Sequence, residues 1–349
     1  MKRINNILPT DKTAETAAHS RWNSIAKPLG SLGLLETAIE KIAAVQHTEN
    51  VDISKRNVVV MCADNGVVSE NISQSDNSVT AVCTNAIANE TSNINVLAHT
   101  FKAEVIAVDM GVDFDFENPK ILDRKIAYGT KNIAVGAAMT IEQAELAIST
   151  GMDIVSDLKK SGTKIIVTGE MGIGNTTTAS ALSAVLLDLP PYQVTGRGAG
   201  LDSERLKKKI AVIERAVSVN KPDKRKPVDL LSKLGGFDIA GMVGIFLGGA
   251  YYQMPVVIDG VISAAAAVLA CMINPLAAEY MLPSHISGEP AGKMLLDSIE
   301  LKPLINAEMR LGEGTGGVML LPLLDGALAV YNKAHRFDEI EIERYAELK

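Results

Sequence analysis

Cysteine is scarce in this chain: Cys62, Cys83 and Cys271 are the three among 349 residues. They are widely spaced and form no C-x-x-C, so neither a disulfide framework nor a zinc site is indicated, and a reducing, cytoplasmic setting is expected. Histidine is equally sparse, and His19, His47, His99, His285 and His335 form no H-E-x-x-H or similar pair. No metal site is therefore expected. Basic charge is in deficit, with 34 Lys and Arg against 41 Asp and Glu and a net charge of −7. A partner such as nucleic acid or an anionic membrane calls for a basic face, and both are excluded as expected partners. The stretch Met1 to Ser20 has no apolar run, so no secretory signal is expected.

What the chain has in abundance is apolar sequence, 47% of its residues against 21% charged, which describes a folded protein with a large core. Between Asp238 and Glu279 the only charge is Asp259, and Ile239 to Ile258 is long enough to span a bilayer. Gly241, Gly244, Gly248, Gly249, Gln253 and Pro255 interrupt that run, and no Lys/Arg cluster flanks it. A buried α/β core is the better reading, with a helix from Gly241 to Tyr251, a strand from Pro255 to Ile258, a turn at Asp259-Gly260 and a helix from Val261 to Met272. The same cadence recurs where Asn57 to Cys62 leads into ADNGV, Ala103 to Val108 into DMGV and Lys164 to Thr168 into GEMGIGN. Apolar runs alternating with helical stretches specify a parallel sheet covered by helices, with ligands outside the carboxyl ends of the strands. The acidic turns are expected to line one cleft, although Asp64 and Asp109 are each equally explained as helix N-caps. The charged tail Arg336 to Lys349 reads as a surface helix.

Two glycine-rich stretches carry the chemistry. In RLGEGTGG, Arg310 to Gly317, the lone carboxylate Glu313 sits among Gly312, Gly314, Gly316 and Gly317. Glycines in such number imply backbone shapes or close approaches that a Cβ forbids, so Glu313 reads either as a ligand-facing group or as a solvated residue on a turn. The second stretch, GEMGIGNTT, follows an apolar run and precedes the helical TASALSAVLL, which aims free N–H groups and the positive end of a helix dipole at one point. Gly169, Gly174 and Thr176 match the phosphate-binding loop of triphosphatases, but Asn175 stands where the lysine belongs. A monophosphate ester fits better than a triphosphate, and Glu170 brings a second carboxylate to the turn. GRGAGLD, Gly196 to Asp202, lacks the G-x-G-x-x-G spacing and looks more like an active-site loop than a dinucleotide fingerprint. From the Lys207 to Lys209 run that follows, one lysine is a reasonable phosphate ligand, the solvated face being the alternative. SHISGEPAG, Ser284 to Gly292, suits either an anion or a helix start capped by Ser284 or Ser287.

KPLGSLGLLE (Lys27 to Glu36), ADNGVVSENIS (Ala63 to Ser73), DMGV, GTKNIAVGAAMT (Gly129 to Thr140), GEMGIGNTT, GRGAGLD, LGGFDIAGMVG (Leu234 to Gly244), VIDGVISAAAA (Val257 to Ala267), SHISGEP and RLGEGTGG follow one another in this order. In this the chain resembles, over nearly its whole length, the nicotinate-nucleotide:dimethylbenzimidazole phosphoribosyltransferase family. The resemblance implies transfer of phosphoribose from nicotinate mononucleotide to an aromatic base, giving an α-ribotide for the lower ligand of a cobamide. It implies Glu313 as the base that takes the acceptor's proton, and Glu170 as a carboxylate stabilising the transition state. The donor's phosphate is expected at Gly172, Ile173, Gly174, Asn175, Thr176, Lys209, Ser287, Gly288 and Gly312, and the acceptor at Asn65, Ser73 and Thr80. No cofactor and no metal are implied. The implied architecture is a Rossmann-like α/β domain over residues 50–320 and a small helical domain from 1–49 and 321–349, in a homodimer or in a heterodimer with a homologous subunit.

The chain departs from the family pattern mostly in one place. Asn65 stands where a His is frequent, Gln74-Ser75-Asp76 where an aromatic-proline pair is usual, Ala81 to Cys83 where a glutamine follows the Val-Thr step, and Asn89 to Ser92 for a small, glycine-rich turn. Lys293 also replaces a common His. An altered acceptor is therefore expected, such as another benzimidazole, a purine or a phenol, the last being used by relatives that work as paired subunits. A partner subunit with an impaired site of its own is the alternative, which the intact Glu170, Lys209 and Glu313 oppose.

Overall fold

A computed structural model describes residues 3–198 and 200–345. The strands are β1 (Arg56–Ala63), β2 (Ala103–Gly111), β3 (Leu122–Asp123), β4 (Ile165–Met171), β5 (Val256–Ile258) and β6 (Met281–Pro283). They form one six-stranded sheet in the order β3-β2-β1-β4-β5-β6, and every pairing is parallel. The chain therefore runs outward from β1 to β3, then returns beside β1 as β4 and runs out the other way. The carboxyl ends of β1 and β4 flank the point where strand order reverses, which is where a doubly wound sheet leaves a ligand crevice.

The helices are α1 (Lys12–Ser24), α2 (Leu34–Gln46), α3 (Ser78–Ala88), α4 (Asn93–Thr100), α5 (Ile141–Lys160), α6 (Asn175–Leu187), α7 (Pro191–Val194), α8 (Ser203–Asn220), α9 (Pro227–Leu234), α10 (Phe237–Tyr252), α11 (Val261–Ile273), α12 (Ala291–Ser298) and α13 (Thr315–Lys333). Side-chain alternation along the strands divides them into two layers. Val59, Met61 and Ala63 of β1 join Ile166 of β4 and Val256 and Ile258 of β5 in a core with α5, α6, α10 and α11. Val58, Val60 and Cys62 face the other way, with Ile165, Val167 and Val257, against α1, α2, α3, α4 and α13. A strand buried on both faces has no polar side, which is why these runs read as continuously apolar. On the second face Trp22 of α1 meets Tyr331 of α13, with ring centroids 4.9 Å apart.

The apolar run from Ile239 is core: from Phe237 to Ala250 every residue of α10 is buried. No helix among the described residues is long and apolar enough to cross a membrane. Two expectations need correction. Asp64 and Asp109 cap no helix: Asp109 accepts from the N–H groups of Gly111 and Val112, Asp64 from that of Asp113, so both tie strand ends to loops. The tail is not a surface helix either. Only Phe337–Glu339 forms a 3-10 turn, and Glu341 adopts a left-handed φ of 57°. Phe337 is buried, with its ring centroid 5.2 Å from that of Tyr345, and this contact sets the path of the tail; residues 346–349 lie outside the described residues.

Helices α5 and α10 approach backbone to backbone. A Cβ on Gly151 would lie 2.2 Å from Gly241 O and 2.9 Å from Gly244 Cα. In an open helix, alanine for glycine gains about 1 kcal/mol, whereas overpacking costs about 1–3 kcal/mol. Because the contacted atoms are backbone and cannot swing away, the second effect wins. Gly151→Ala is expected to lower the urea midpoint at unchanged m-value, and a raised midpoint would refute this close packing.

Candidate active site

At the carboxyl end of β4 the chain turns through Gly172 and Gly174 into α6, and at the end of β5 through Asp259 and Gly260 into α11. Together with the loop leading into α13 these turns enclose a cavity of about 240 Å³ lined by Glu170, Gly172, Ile173, Asn175, Thr176, Asp259, His285, Ser287, Gly312 and Glu313 among others. A smaller cleft beside it is lined by Ser73, Gln74, Gly174, Arg197 and Lys209, and shares Gly172, Ile173, Asn175 and Thr176 with it. The two carboxylates and most of the phosphate residues expected from sequence thus share one surface.

Position of Glu313 is set from outside its own loop. Asp259 accepts from Gly314 N–H at 3.2 Å and from Gly317 N–H at 2.8 Å, so the carboxylate at the end of β5 caps the start of α13. Glu313 itself holds a left-handed φ of 61°, an uncommon state for a residue with a side chain. Its Oε2 accepts from Ile94 N–H in the first turn of α4 at 3.2 Å. Half-burial pushes its pKa above the usual carboxylate range, and the α4 amide pulls it partly back. On acidification a base of this kind loses its function at a higher pH than an exposed glutamate.

Glu170 lies deeper. Its side chain accepts from Asn175 Nδ2, and the same nitrogen donates to Asp238 Oδ2 at 3.1 Å. Burial, then the neighbouring Asp238, pushes Glu170 up to about 8. Burial also raises Asp238, to about 6. Gly312 has to be glycine here, because its φ is 89° and a Cβ would come within 2.7 Å of Glu170 Oε1.

The start of α6 is prepared for an anion. The N–H groups of Gly174 and Thr176 have no hydrogen-bond partner among the described residues, whereas Ile173 N–H is taken by Thr80 Oγ1 at 3.1 Å. Lys209 reaches the same turn from α8, donating to Thr176 Oγ1 at 2.9 Å and Gly196 O at 3.3 Å. A phosphate there would meet backbone amides, a hydroxyl, an amine and the positive end of a helix dipole.

Some expected residues sit elsewhere. Gly288 gives its N–H to Met309 O and lines neither cleft, so its amide is not free for a phosphate. Asn65 and Thr80 are fully buried: Thr80 braces the phosphate turn from behind, and Asn65 sits against Gly172 and Gly236. Neither faces the cavity, while Ser73 lines the smaller cleft and a polar one lined also by Asp64 and Asp113. Ser284 and Ser287 cap no helix, since α12 begins after Pro290 with no side-chain cap. Asp259 lines the cavity, as expected of an acidic turn at a strand end, whereas sequence reasoning missed Asp238 and His285 as parts of the site. The signal for Asp238 was its standing as the acid at the edge of an apolar stretch. His285 is buried, pairs with Ser284 Oγ at 2.9 Å, and is pushed below its usual pKa by that burial, with Asp259 opposing the shift. Among the described residues no cluster of His, Cys, Asp and Glu is suited to a metal ion.

A family model described as Phosphoribosyltransferase matches residues 7–342. The chain is 42% identical to the nicotinate-nucleotide–dimethylbenzimidazole phosphoribosyltransferase of Clostridium acetobutylicum, over 99% of this chain and 98% of that protein. A relative of the same name from Ruminiclostridium cellulolyticum is also 42% identical, with the same coverage. The crystal structure of CobT from Thermus thermophilus superposes with a TM-score of 0.89 at 33% identity, covering 95% of this chain and all of that one. Similarity of this extent in both sequence and fold makes the chain a member of the nicotinate-nucleotide–dimethylbenzimidazole phosphoribosyltransferase family.

Proposed function

We propose that this chain transfers phosphoribose from nicotinate mononucleotide to an aromatic base such as dimethylbenzimidazole, with inversion at C1′, releasing nicotinate and forming the α-ribotide of a cobamide lower ligand. The observation that carries the reading is one continuous surface that joins an anion-ready helix start to two carboxyl groups, Glu170 and Glu313. The donor's 5′-phosphomonoester suits the α6 turn and Lys209, a cradle without the lysine of a triphosphate loop. Breaking the C1′–N bond returns its electron pair to a pyridinium nitrogen, which leaves neutral, so the leaving group needs no acid. Positive charge grows on the ribose as that bond breaks, and Glu170 lies where an ionised carboxylate would oppose it. The acceptor's unprotonated ring nitrogen bonds to C1′ through its lone pair, and the proton on its other ring nitrogen goes to Glu313.

The same proposal extends to three further points. The protein works in the cytoplasm, in keeping with its three free cysteines. It works as a homodimer, or as a heterodimer with a homologous subunit; exposed Val82 on α3 and Val96 on α4 supply apolar surface beside the site. Segments 1–49 and 321–349 form a small helical unit, which the contact of Trp22 with Tyr331 supports.

The direct test is a product assay with nicotinate mononucleotide and a panel of benzimidazoles, purines and phenols. Nicotinate release coupled to ribotide formation is expected, with at least one acceptor matching or exceeding dimethylbenzimidazole; no turnover with any of them sinks the reading. Glu313→Gln keeps the hydrogen bond from Ile94 and removes the base, so kcat should fall about 10²- to 10⁴-fold with donor binding nearly intact. Near-normal kcat with a neutral, proton-bearing acceptor would leave Glu313 a positioning residue. Lys209→Ala removes a charged phosphate ligand and is expected to raise the donor KM about tenfold or more while the acceptor KM moves less than about twofold. Equal effects on both would take Lys209 out of the phosphate site.

A further inference from the structure

A carboxylate beside a phosphate site repels the ligand, yet Glu289 stands there just before α12, 9% exposed and lining the larger cavity. Its backbone is fixed on both sides, the N–H donating to Ser287 Oγ at 3.3 Å and the carbonyl accepting from Gly292 N–H at 3.1 Å. The side chain crosses to the chain between α7 and α8, where Oε1 accepts from Gly198 N–H at 3.1 Å. A Cβ on Gly196 would lie 1.8 Å from Oε2 and 2.4 Å from Cδ, so the carboxylate rests directly on that backbone. Gly196 holds no left-handed φ. The space taken by Glu289, and not a turn, is what requires glycine there.

The same backbone holds Lys209. Its ammonium donates to Gly196 O at 3.3 Å and to Thr176 Oγ1 at 2.9 Å. Gly198 closes the other side of this contact: it lines both clefts, and a Cβ there would come within 2.9 Å of Thr176 Oγ1. One carboxylate therefore ties two glycines, and the glycines meet the amine and the hydroxyl of the phosphate turn. A lysine side chain gives up much rotamer freedom when it is held in one place, so the acceptor that holds it has itself to be fixed. Burial depresses Lys209, and the charge of Glu289 opposes that through space, although among the described residues no ion pair joins the two. Contact and charge are thus separable contributions of one side chain.

The phosphoribosyl reading, on which this inference rests, puts the donor's phosphate at this turn. We propose that Glu289 is a positioning residue for that phosphate: it clasps Gly196 and Gly198 and so fixes the acceptor that aims the Lys209 ammonium at the anion. It touches no reacting atom. With Oε1 bonded to Gly198 N–H and Oε2 packed on Gly196, the carboxylate is directed at the glycines rather than at the ligand, which reconciles an acid with a phosphate site. Selection of a phosphorylated donor then depends on a contact between residues 91 apart in the chain.

Steady-state kinetics on the full chain, with nicotinate mononucleotide as donor and its phosphate-free riboside as competitor, test the clasp. Glu289→Ala is expected to raise the donor KM about fivefold or more, with kcat within about threefold and the riboside's inhibition constant within about twofold of the parent's. Glu289→Gln keeps an acceptor for Gly198 N–H without the charge, and should bring the donor KM back to within about twofold of the parent's. In a Lys209→Ala background Glu289→Ala should add less than about twofold, because residues that act as one unit do not multiply. Gly196→Ala, whose Cβ displaces the same carboxylate, should reproduce the loss, and it takes the place of Glu289→Ala if that variant fails to fold. Equal losses in the Ala and Gln variants, equal losses with and without the phosphate, or full multiplication on Lys209→Ala overturn the proposal and leave the phosphoribosyl reading intact. If the parent protein turns over no donor, that reading falls, and calorimetry with ribose 5-phosphate decides the clasp: affinity lost in Glu289→Ala and recovered in Glu289→Gln supports it, and unchanged affinity overturns it.

Discussion

The site depends on one carboxylate that does no chemistry in the proposed reaction. Asp259, at the carboxyl end of β5, accepts the N–H groups of Gly314 and Gly317 and so fixes the first turn of α13 against the sheet. Without that anchor the glycine-rich loop before α13 keeps only local ties, Thr315 Oγ1 donating to Gly312 O and Glu313 accepting from Ile94 N–H, while its glycines carry a high entropy cost of ordering. With the anchor in place, the loop lies so close to β4 that a Cβ on Gly169 would meet Glu313 O at 2.5 Å. Glu313 is thereby held in a left-handed conformation, its carboxylate reaching the first turn of α4. Residues from β4, β5, α4 and α13 meet because one buried acid satisfies amides that would otherwise be orphaned at a helix start.

A second constraint is the scarcity of positive charge in the cavity. Glu170, Asp238, Asp259 and Glu313 interact, yet among the described residues the one buried amine nearby, Lys209, sits with neutral partners across the α6 turn. An arrangement that separates acids from the amine stores no ion pair that a substrate must first break. It leaves the amine and the free amides of the α6 start to an anionic end of a ligand, and low dielectric makes that match stronger than it would be in water.

Much of the fold was legible because its signals are local. Apolar β-branched runs ending in an acid beside glycine marked β1, β2, β4 and β5, and the glycine-rich turn at Gly174 marked a helix start that the structure places at the site. The misses share a cause, which is that side-chain direction is decided by partners far along the chain. Asn175 and Asp238 are 63 residues apart, and Asp259 and Gly314 are 55 apart, so no window of sequence could show that they touch. Strand ends were read short at β4 because hydrophobicity stops at Val167, while ladder pairing with β1 continues through Glu170 and Met171. The tail failed for the opposite reason, since its charges resemble a solvated helix whereas the burial of Phe337 settles its path.

Asn65 and Thr80 teach the most about the acceptor side. Both lie where the chain departs from or borders a departure from the family pattern, and both turn away from the cavity into the support of the Gly172–Asn175 turn. Thr80 holds Ile173 N–H, and Asn65 packs where Gly172 and Gly236 leave room for it beside Asp238. A change at position 65 therefore acts first on the acid pair and the phosphate turn, and reaches an acceptor only through them. The residues of the segment that do face a cleft, Ser73 and Gln74, border the phosphate turn, with Gln74 donating to Gly200 O across the cleft. Departures in this segment thus border the phosphate turn, while the opposite wall of the cavity carries the half-buried Glu313 and the exposed Leu311 beside it.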